Sequence, residues 1–282
     1  TVRTFADLER RIAEVDWDDW LGAGDSPRFR VSSRNSELWH DRAVGERFEA
    51  ALGRPVEGAR EQLFVVRAVN DRFTVSVDSS GAALHERGWR QAIAKAPLRE
   101  SVAAGLLVAA GWDPTTPLVD PMCGSGTIAI EAALLAAGIA PSAGRELAFR
   151  FWPGFEPGTW ASVAAEIQKR RTDAGDPPSI VAVDRDAGAI ESARANAERA
   201  GVADLIEWRT APIAELEPRD GTDGRPGLLV TNPPWGGRLA GGDLRNLYAT
   251  LGRVASEGFA GWSLGVLVAD RTLARQVRPG LT

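Results

Sequence analysis

Cysteine and histidine are almost missing from this chain: one Cys and two His occur in 282 residues. The single cysteine, Cys123, excludes a disulfide framework, and with only His40 and His85 beside it there is no zinc cluster to assemble. Long apolar runs are also missing. The longest, Val102 to Gly111 and Ile128 to Ile139, are Ala-rich and helix-sized, well short of the ~20 residues that cross a bilayer. No basic-then-apolar signal segment opens the sequence, so the cytoplasm is the expected compartment and no membrane partner is expected. Internal repeats and low-complexity tracts are absent. An excess of positive charge is missing too: the net charge is −5, whereas nucleic-acid-binding domains are usually basic as a whole. The distribution is uneven, however. Residues 28–99 carry 13 Lys+Arg against 9 Asp+Glu, which fits either a solvated face or a phosphate-facing one. Nearly all the basic residues are arginine, whose planar fork suits phosphates and bases.

What is present separates into two parts. Residues 1–78 show a helical pattern at Phe5, Leu8, Ile12 and Val15, an extended piece near 29–33, a helix near 41–52, and alternating strands near 63–69 and 73–77 joined by the turn "VNDR". This predicts a small α+β domain. Residues 79–111 read as a linker and a helix near 98–110 that covers one edge of a sheet. From 112 to 282, short aliphatic runs alternate with amphipathic helices: "PLVD", a helix near 127–137, "SIVAVD", a helix near 187–200, "LIEWRT", "GLLVTN", a helix near 243–257, and "WSLGVLVAD". That alternation predicts an α/β fold with a Rossmann-like parallel sheet, whose ligands sit beyond the carboxyl ends of its strands. An aromatic- and proline-rich segment of about forty residues, 138–178, is too long for an ordinary connection.

Three motifs fall at strand ends. In "VDPMCGSGT", Asp120 ends a strand and Gly124 and Gly126 let the backbone approach a ligand, ahead of a helix N-terminus. Ala129 replaces the third glycine of a dinucleotide fingerprint and no Walker lysine follows, which disfavours both classes. In "VAVDRD", Asp184 is placed to accept hydrogen bonds from both hydroxyls of a ribose, while Asp186 sits where a helix cap belongs. In "TNPPWGG", Pro233 and Pro234 stop strand and helix alike. They leave the Asn232 amide oxygen and the Pro233 carbonyl as two fixed acceptors for a planar amine, with Trp235 as a stacking face. Cys123 has no partner base in sequence and reads as a bystander. His40 and His85, each followed by an acid, read as hydrogen-bonded structural residues.

Together "DPMCGSGTIAIEAALLAAGIAPS", "RELAFRFWP", "ARANAERAGV" and "TNPPWGGRL", with upstream "LHERGWR" and "APLRE", resemble the THUMP-domain RNA guanine-N2 methyltransferases of ribosomal RNA or tRNA. These are class I, S-adenosyl-L-methionine-dependent enzymes. The resemblance implies that residues 1–78 are part of a THUMP RNA-binding module, with "SELWHDRAVGERFEAALG" its clearest piece. It also implies that the first part of that module and the last antiparallel strands of the catalytic sheet lie outside this chain. It assigns Asp120, Pro121, Cys123, Gly124, Ser125, Gly126, Thr127, Asp184, Arg185 and Asn232 to the cofactor. Asn232, Pro233 and Trp235 go to catalysis, and Trp235 and Arg238 to the RNA. Arg87, Arg90 and Arg99 are expected at the RNA or at the cofactor carboxylate, and Phe149 and Trp152 read as core packing first, with walls of the substrate pocket as the second reading. One departure stands out: where the third strand usually delivers an acid to the adenine amine, this chain has Thr210 and Ala211. The expected reaction is direct methyl transfer by a monomer, without a metal. An adenine-N6 methyltransferase shares the NPP-aromatic logic, and an RNA-binding fragment without activity is the third reading.

Overall fold

The computed structural model describes residues 1–54, 56–91, 98–173, 175–217, 225–235 and 241–277, with backbone alone at 170, 172, 173 and 241–243. The chain divides into two compact units, Thr1–Ala83 with Gly144–Ala161, and Leu84–Ala143 with Ser162–Thr282.

In the N-terminal unit, α1 (Phe5–Ala13) is capped by the Thr4 hydroxyl, which accepts from the Asp7 amide. The chain continues through β1 (Ser26–Arg34), α2 (Asp41–Leu52), β2 (Glu61–Val69) and β3 (Arg72–Val77). β1 pairs with β2 in parallel, and β2 with β3 antiparallel through Asn70 and Asp71, both at positive φ (51° and 60°). A two-residue turn of that hand matches the strand twist. One face of this sheet is apolar: Val66 packs with Leu8, Ile12, Val44 and Phe48 of the two helices.

Part of the long aromatic segment also belongs to this unit. The Phe149 amide donates to the Ser79 carbonyl (3.1 Å) and Trp152 Nε1 to Gln62 Oε1 (2.8 Å), while the Phe149 ring sits 5.4 Å from that of Trp160. The expected boundary at residue 78 is thereby corrected. The unit runs to Ala83 and takes in residues 144–161, because their backbone and ring partners lie there.

In the second unit, α3 (Glu100–Ala109) precedes β4 (Leu118–Asp120) and α4 (Thr127–Ala136). α5 (Pro157–Asp173) begins among residues 144–161 of the N-terminal unit, and the second unit resumes at Ser162. After it come β5 (Ile180–Asp184), α6 (Ala187–Ala200) and β6 (Glu207–Thr210), then β7 (Leu228–Thr231), α7 (Gly241–Gly258), β8 (Ser263–Val266) and α8 (Arg271–Val277). All five strands are parallel, in the order β6-β5-β4-β7-β8. Alternate residues feed two cores. Leu118, Ile180, Ala182, Leu228 and Val230 face the layer of α3, α4 and α6; Val119, Val181, Val183 and Leu229 face α7 and its neighbours. Burial on both faces explains why these strands read as unbroken aliphatic runs. α3 packs on α4 within the first layer, with Leu107 and Ala103 in its core, so it covers a face of the sheet as well as approaching the edge. Among the described residues no helix is long and apolar enough to cross a membrane.

Chain direction across the sheet reverses at β4. Strands β5 and β6 lie on one side of it and β7 and β8 on the other, so the crevice beyond the ends of β4 and β7 is the topological switch point where ligands bind in such sheets.

Candidate active site

The ends of three neighbouring strands supply the site. Asp120 closes β4 and is 1% exposed; its carboxylate accepts from the Met122 amide (3.2 Å). Burial pushes its pKa up to about 7, against the Met122 hydrogen bond and the nearby Thr231 hydroxyl, and the charge of Asp184 adds to the rise. That hydroxyl is buried and makes no well-formed hydrogen bond among the described residues. The register Leu118↔Leu228 and Val119↔Leu229 brings the end of β7, and so Asn232, beside Asp120.

Asp184, at the end of β5, holds the glycine turn. Its Oδ2 accepts from the Gly124 amide (2.9 Å) and its Oδ1 from the Asp186 amide (3.0 Å). Asp186 caps α6, accepting from the Gly188 amide (2.9 Å). Both turn glycines adopt positive φ, 54° at Gly124 and 80° at Gly126, but for different surroundings. A Cβ on Gly126 would lie 2.9 Å from the Ala193 Cβ and 3.2 Å from the Trp208 ring; one on Gly124 would meet nothing within 4 Å. Gly126 is therefore a packing glycine, and Gly124 faces the open space. Asn196, fully buried on α6, donates to the Ser125 carbonyl (3.2 Å) and braces the same turn.

At the third strand end, the Asn232 Oδ1 is buried and has no hydrogen-bond partner among the described residues. Trp235 is 52% exposed, its ring nitrogen donating to the Leu267 carbonyl (3.3 Å). Tyr248, the chain's only tyrosine, is buried on α7 and donates to the Pro234 carbonyl (3.4 Å), fixing the proline loop. Burial raises its pKa.

Several expected residues take other roles. Arg87 makes a two-pronged ion pair with buried Glu131 of α4 (3.2 and 3.3 Å) and donates to the Leu84 carbonyl. Arg90 pairs with buried Glu100 (2.9 Å) and donates to the Leu98 carbonyl and the Thr127 hydroxyl (2.7 and 2.9 Å). Both arginines are thus corrected from RNA contacts to internal ion pairs, because buried carboxylates in α4 and α3 need their charge. Burial raises the Glu131 pKa, and Arg87 opposes that rise. The Thr127 hydroxyl accepts from Arg90, while its amide lies in the first turn of α4. Nearby, Arg90 Nη1 and Trp89 Nε1 are buried donors without a partner among the described residues. Phe149 and Trp152 pack in the N-terminal unit, among the partners given above. Pro121 and Ser125 are buried in the turn and Arg185 is exposed. Arg238, with Gly236 and Gly237, lies outside the described residues. The departure on the third strand stands: Thr210 ends β6 directly opposite Asp184, and the Ala211 amide donates to the Asp184 carbonyl (3.0 Å).

His40 lies against Trp39 with ring centroids 3.5 Å apart and the rings tilted by 30°, so the hydrogen-bonded role expected of it gives way to an exposed aromatic pair. Cys123 is buried in the turn, its thiol directed to the Gly124 carbonyl (3.7 Å). Burial and the charges of Asp120 and Asp184 push its pKa well above the usual thiol range, so no thiolate is available. Cys123→Ala should keep turnover within about threefold, since truncation there removes packing only. A loss of a hundredfold or more in steady-state rates, with folding intact, would restore the nucleophile reading. Among the described residues no three His, Cys, Asp or Glu side chains gather to hold a metal.

The family model described as an RMKL-like methyltransferase domain matches residues 87–279. The ribosomal RNA large subunit methyltransferases K/L of Chromohalobacter salexigens and Syntrophotalea carbinolica are 35% and 36% identical over 95% and 96% of this chain, covering 39% and 40% of their own length. The chain thus spans about two-fifths of these relatives. Among solved structures, a "predicted N6-adenine-specific DNA methylase" from Listeria monocytogenes is 32% identical over 98% of this chain and 74% of its own (TM-score 0.86). A structure named as a methyltransferase complexed with SAH is 27% identical over 98% and 75% (TM-score 0.84).

Proposed function

We propose, for a chain that belongs to the RMKL-like methyltransferase domain family, that it methylates the exocyclic N2 amine of a guanine in structured RNA, using S-adenosyl-L-methionine, in the cytoplasm and as a monomer. The observation that carries the reading is the orphaned Asn232 oxygen. A buried acceptor without a donor costs about 1–3 kcal/mol, and an amine N–H supplies the donor that the described residues do not. Adjacent Pro233 offers a second carbonyl and half-exposed Trp235 a stacking face.

The fit to the cofactor rests on this chain's own atoms. Gly124 leaves open the space a side chain would fill, and the first turn of α4 presents its amides beside it. Asp120 and Asp184 supply negative charge, and Arg90 Nη1 and Trp89 Nε1 are donors suited to a carboxylate. When bound, S-adenosyl-L-methionine supplies a methyl group activated by its sulfonium. Asn232 and the Pro233 carbonyl then hold the amine so that its nitrogen lone pair, otherwise delocalised into the ring, turns out of the base plane. As positive charge grows on that nitrogen both hydrogen bonds strengthen, a gain confined to the transition state. The base must leave its stack to reach such a cleft.

Asp120 gives the reading a pH dependence. Its folded-state pKa, about 7, exceeds the 3.8 of an unperturbed Asp. The folded protein therefore holds an extra proton across that window. The stability this contributes is complete below about pH 4 and is lost as pH rises through 7. A cationic ligand favours the ionised form, so affinity for S-adenosyl-L-methionine should rise about tenfold between pH 6 and 8. Asp120→Asn should flatten the profile in calorimetric titration. A wild-type profile that is already flat would remove Asp120 from the site.

The reading as a whole is tested by transfer of a tritiated methyl group to unmodified large-subunit ribosomal RNA, to tRNA and to duplex DNA. Label in RNA alone is expected; label confined to DNA would overturn it. The adenine-N6 reading is kept because the Listeria neighbour carries that name.

A further inference from the structure

α7 carries one hydroxyl into an apolar core. Tyr248 is fully buried in the layer of Val119, Leu229, Leu244, Leu251 and Phe259, where a phenyl ring would fill the same space. A buried hydroxyl left without a partner destabilises a fold, and among the described residues this one has a single partner, the Pro234 carbonyl at 3.4 Å. Burial raises its pKa, so it stays a proton donor through neutral pH. The carbonyl it meets belongs to the peptide that joins Pro234 to Trp235. Because a peptide is planar, holding its carbonyl also fixes the plane from which the Trp235 backbone departs. The ring of Trp235 is held as well: Nε1 donates to the Leu267 carbonyl (3.3 Å), and the Leu267 amide donates to the carbonyl of Thr231, the last residue of β7 (3.0 Å). A half-exposed tryptophan on a loop would otherwise exchange rotamers freely. Here bonds from α7 and from the residue just beyond β8 tie it down.

From this arrangement we infer that Tyr248 is a positioning residue for the proposed methyl transfer: through the Pro234 carbonyl it presents the Trp235 ring as a fixed stacking face for the target base. The inference rests on the base-clamp reading above and deepens it by naming what sets the platform. Its effect lies in preorganisation. A ring already held in place loses no rotamer freedom when the base arrives, which is worth about threefold to tenfold in affinity for one immobilised side chain. The hydroxyl bond is long for its kind, so its loss belongs in that range and not in the roughly hundredfold range expected of a group that touches the reacting nitrogen. The glycine turn at the end of β4 and Asp184 at the end of β5, which face the cofactor in that reading, share no hydrogen bond with Tyr248, Pro234 or Trp235 among the described residues.

Tyr248→Phe removes the hydroxyl and keeps the ring. With this variant KM for unmodified large-subunit ribosomal RNA should rise about threefold to tenfold, while kcat and the calorimetric affinity for S-adenosylhomocysteine stay within about twofold. In a Trp235→Ala background the same change should add nothing, because the two residues act as one unit. A KM that does not move, a loss that adds fully to that of Trp235→Ala, or a fall in S-adenosylhomocysteine affinity matching the loss on RNA would each overturn the proposal, the last by making Tyr248 a packing residue of the fold. A second measurement leaves the fold untouched. Tyr248 is the only tyrosine, so a fluorinated tyrosine incorporated during expression labels this position alone. Its fluorine NMR signal should shift when Trp235→Ala is introduced; an unmoved signal breaks the link between the two residues and sinks the inference. If the wild-type chain methylates DNA and no RNA, the RNA reading fails, and the same KM split and double-mutant cycle measured on DNA uphold the positioning role. If Tyr248→Phe changes nothing there either, both fail.

Discussion

Asn232→Ala should lower turnover on RNA by about 10²–10³-fold and leave affinity for S-adenosyl-L-methionine within about twofold. The asymmetry follows from what the side chain does in the protein. Its oxygen is buried with no partner among the described residues, so its removal costs the fold nothing in lost hydrogen bonds there. What disappears is an acceptor that matters most when the attacking nitrogen becomes positive. Single-turnover rates with saturating cofactor, set beside calorimetric affinities, separate the two effects. A variant that loses cofactor binding and turnover in the same proportion would make Asn232 a ligand for the cofactor instead of a clamp on the base.

The second large effect concerns the frame. At the start of β7, a Cβ on Gly227 would fall 2.1 Å from the Pro117 carbonyl oxygen and 2.8 Å from its carbon. These are backbone atoms, joined to β7 by the hydrogen bond from the Leu228 amide to that same carbonyl (2.9 Å). Neither strand can yield without breaking the β4–β7 pairing, because both are buried on two faces. Gly227→Ala should therefore destabilise the protein by about 3–5 kcal/mol, at the severe end for a single substitution, and lower Tm by about 10 °C. Thermal unfolding followed by circular dichroism, with and without S-adenosylhomocysteine, measures this. A shift of only a degree or two would mean that β4 and β7 are not locked together, and the adjacency of Asp120 and Asn232 would lose its support.

Much of the catalytic sheet was legible because both halves of each signal lie close in sequence. α6 is announced by its cap Asp186 and closed by Gly201 in the left-handed region, and "IVAVD" can hardly be anything but a doubly buried strand. "TNPPW" gave the strand end and its acceptors together, since proline enforces the break. Other features depend on partners distant in the chain. Arg87 and Arg90 look like surface charges until Glu131, 44 residues away, and Glu100 are seen beside them. Asn196 is one polar residue among the alanines of "ARANAERAG", and only the fold shows that its amide reaches the Ser125 carbonyl, 71 residues earlier. Tyr248 reads as a generic core residue, yet its hydroxyl holds the Pro234 carbonyl. The aromatic segment was visible as an insertion, but its attachment to Gln62 and Ser79 is a long-range event. So is α5: charged residues throughout "EIQKRRTD" leave a weak apolar stripe to read.

The proposed reaction requires a cleft in which an amino group, not a ring nitrogen or a hydroxyl, is held at Asn232. Its most direct test is the identity of the methylated nucleoside: large-subunit ribosomal RNA and tRNA from cells without the protein are treated with it and S-adenosyl-L-methionine, digested, and analysed by mass spectrometry against standards. N2-methylguanosine as the new product, absent with Asn232→Ala, is the expected result. N6-methyladenosine in its place would contradict the guanine assignment, and a methylated ribose or ring nitrogen would contradict the amine clamp altogether.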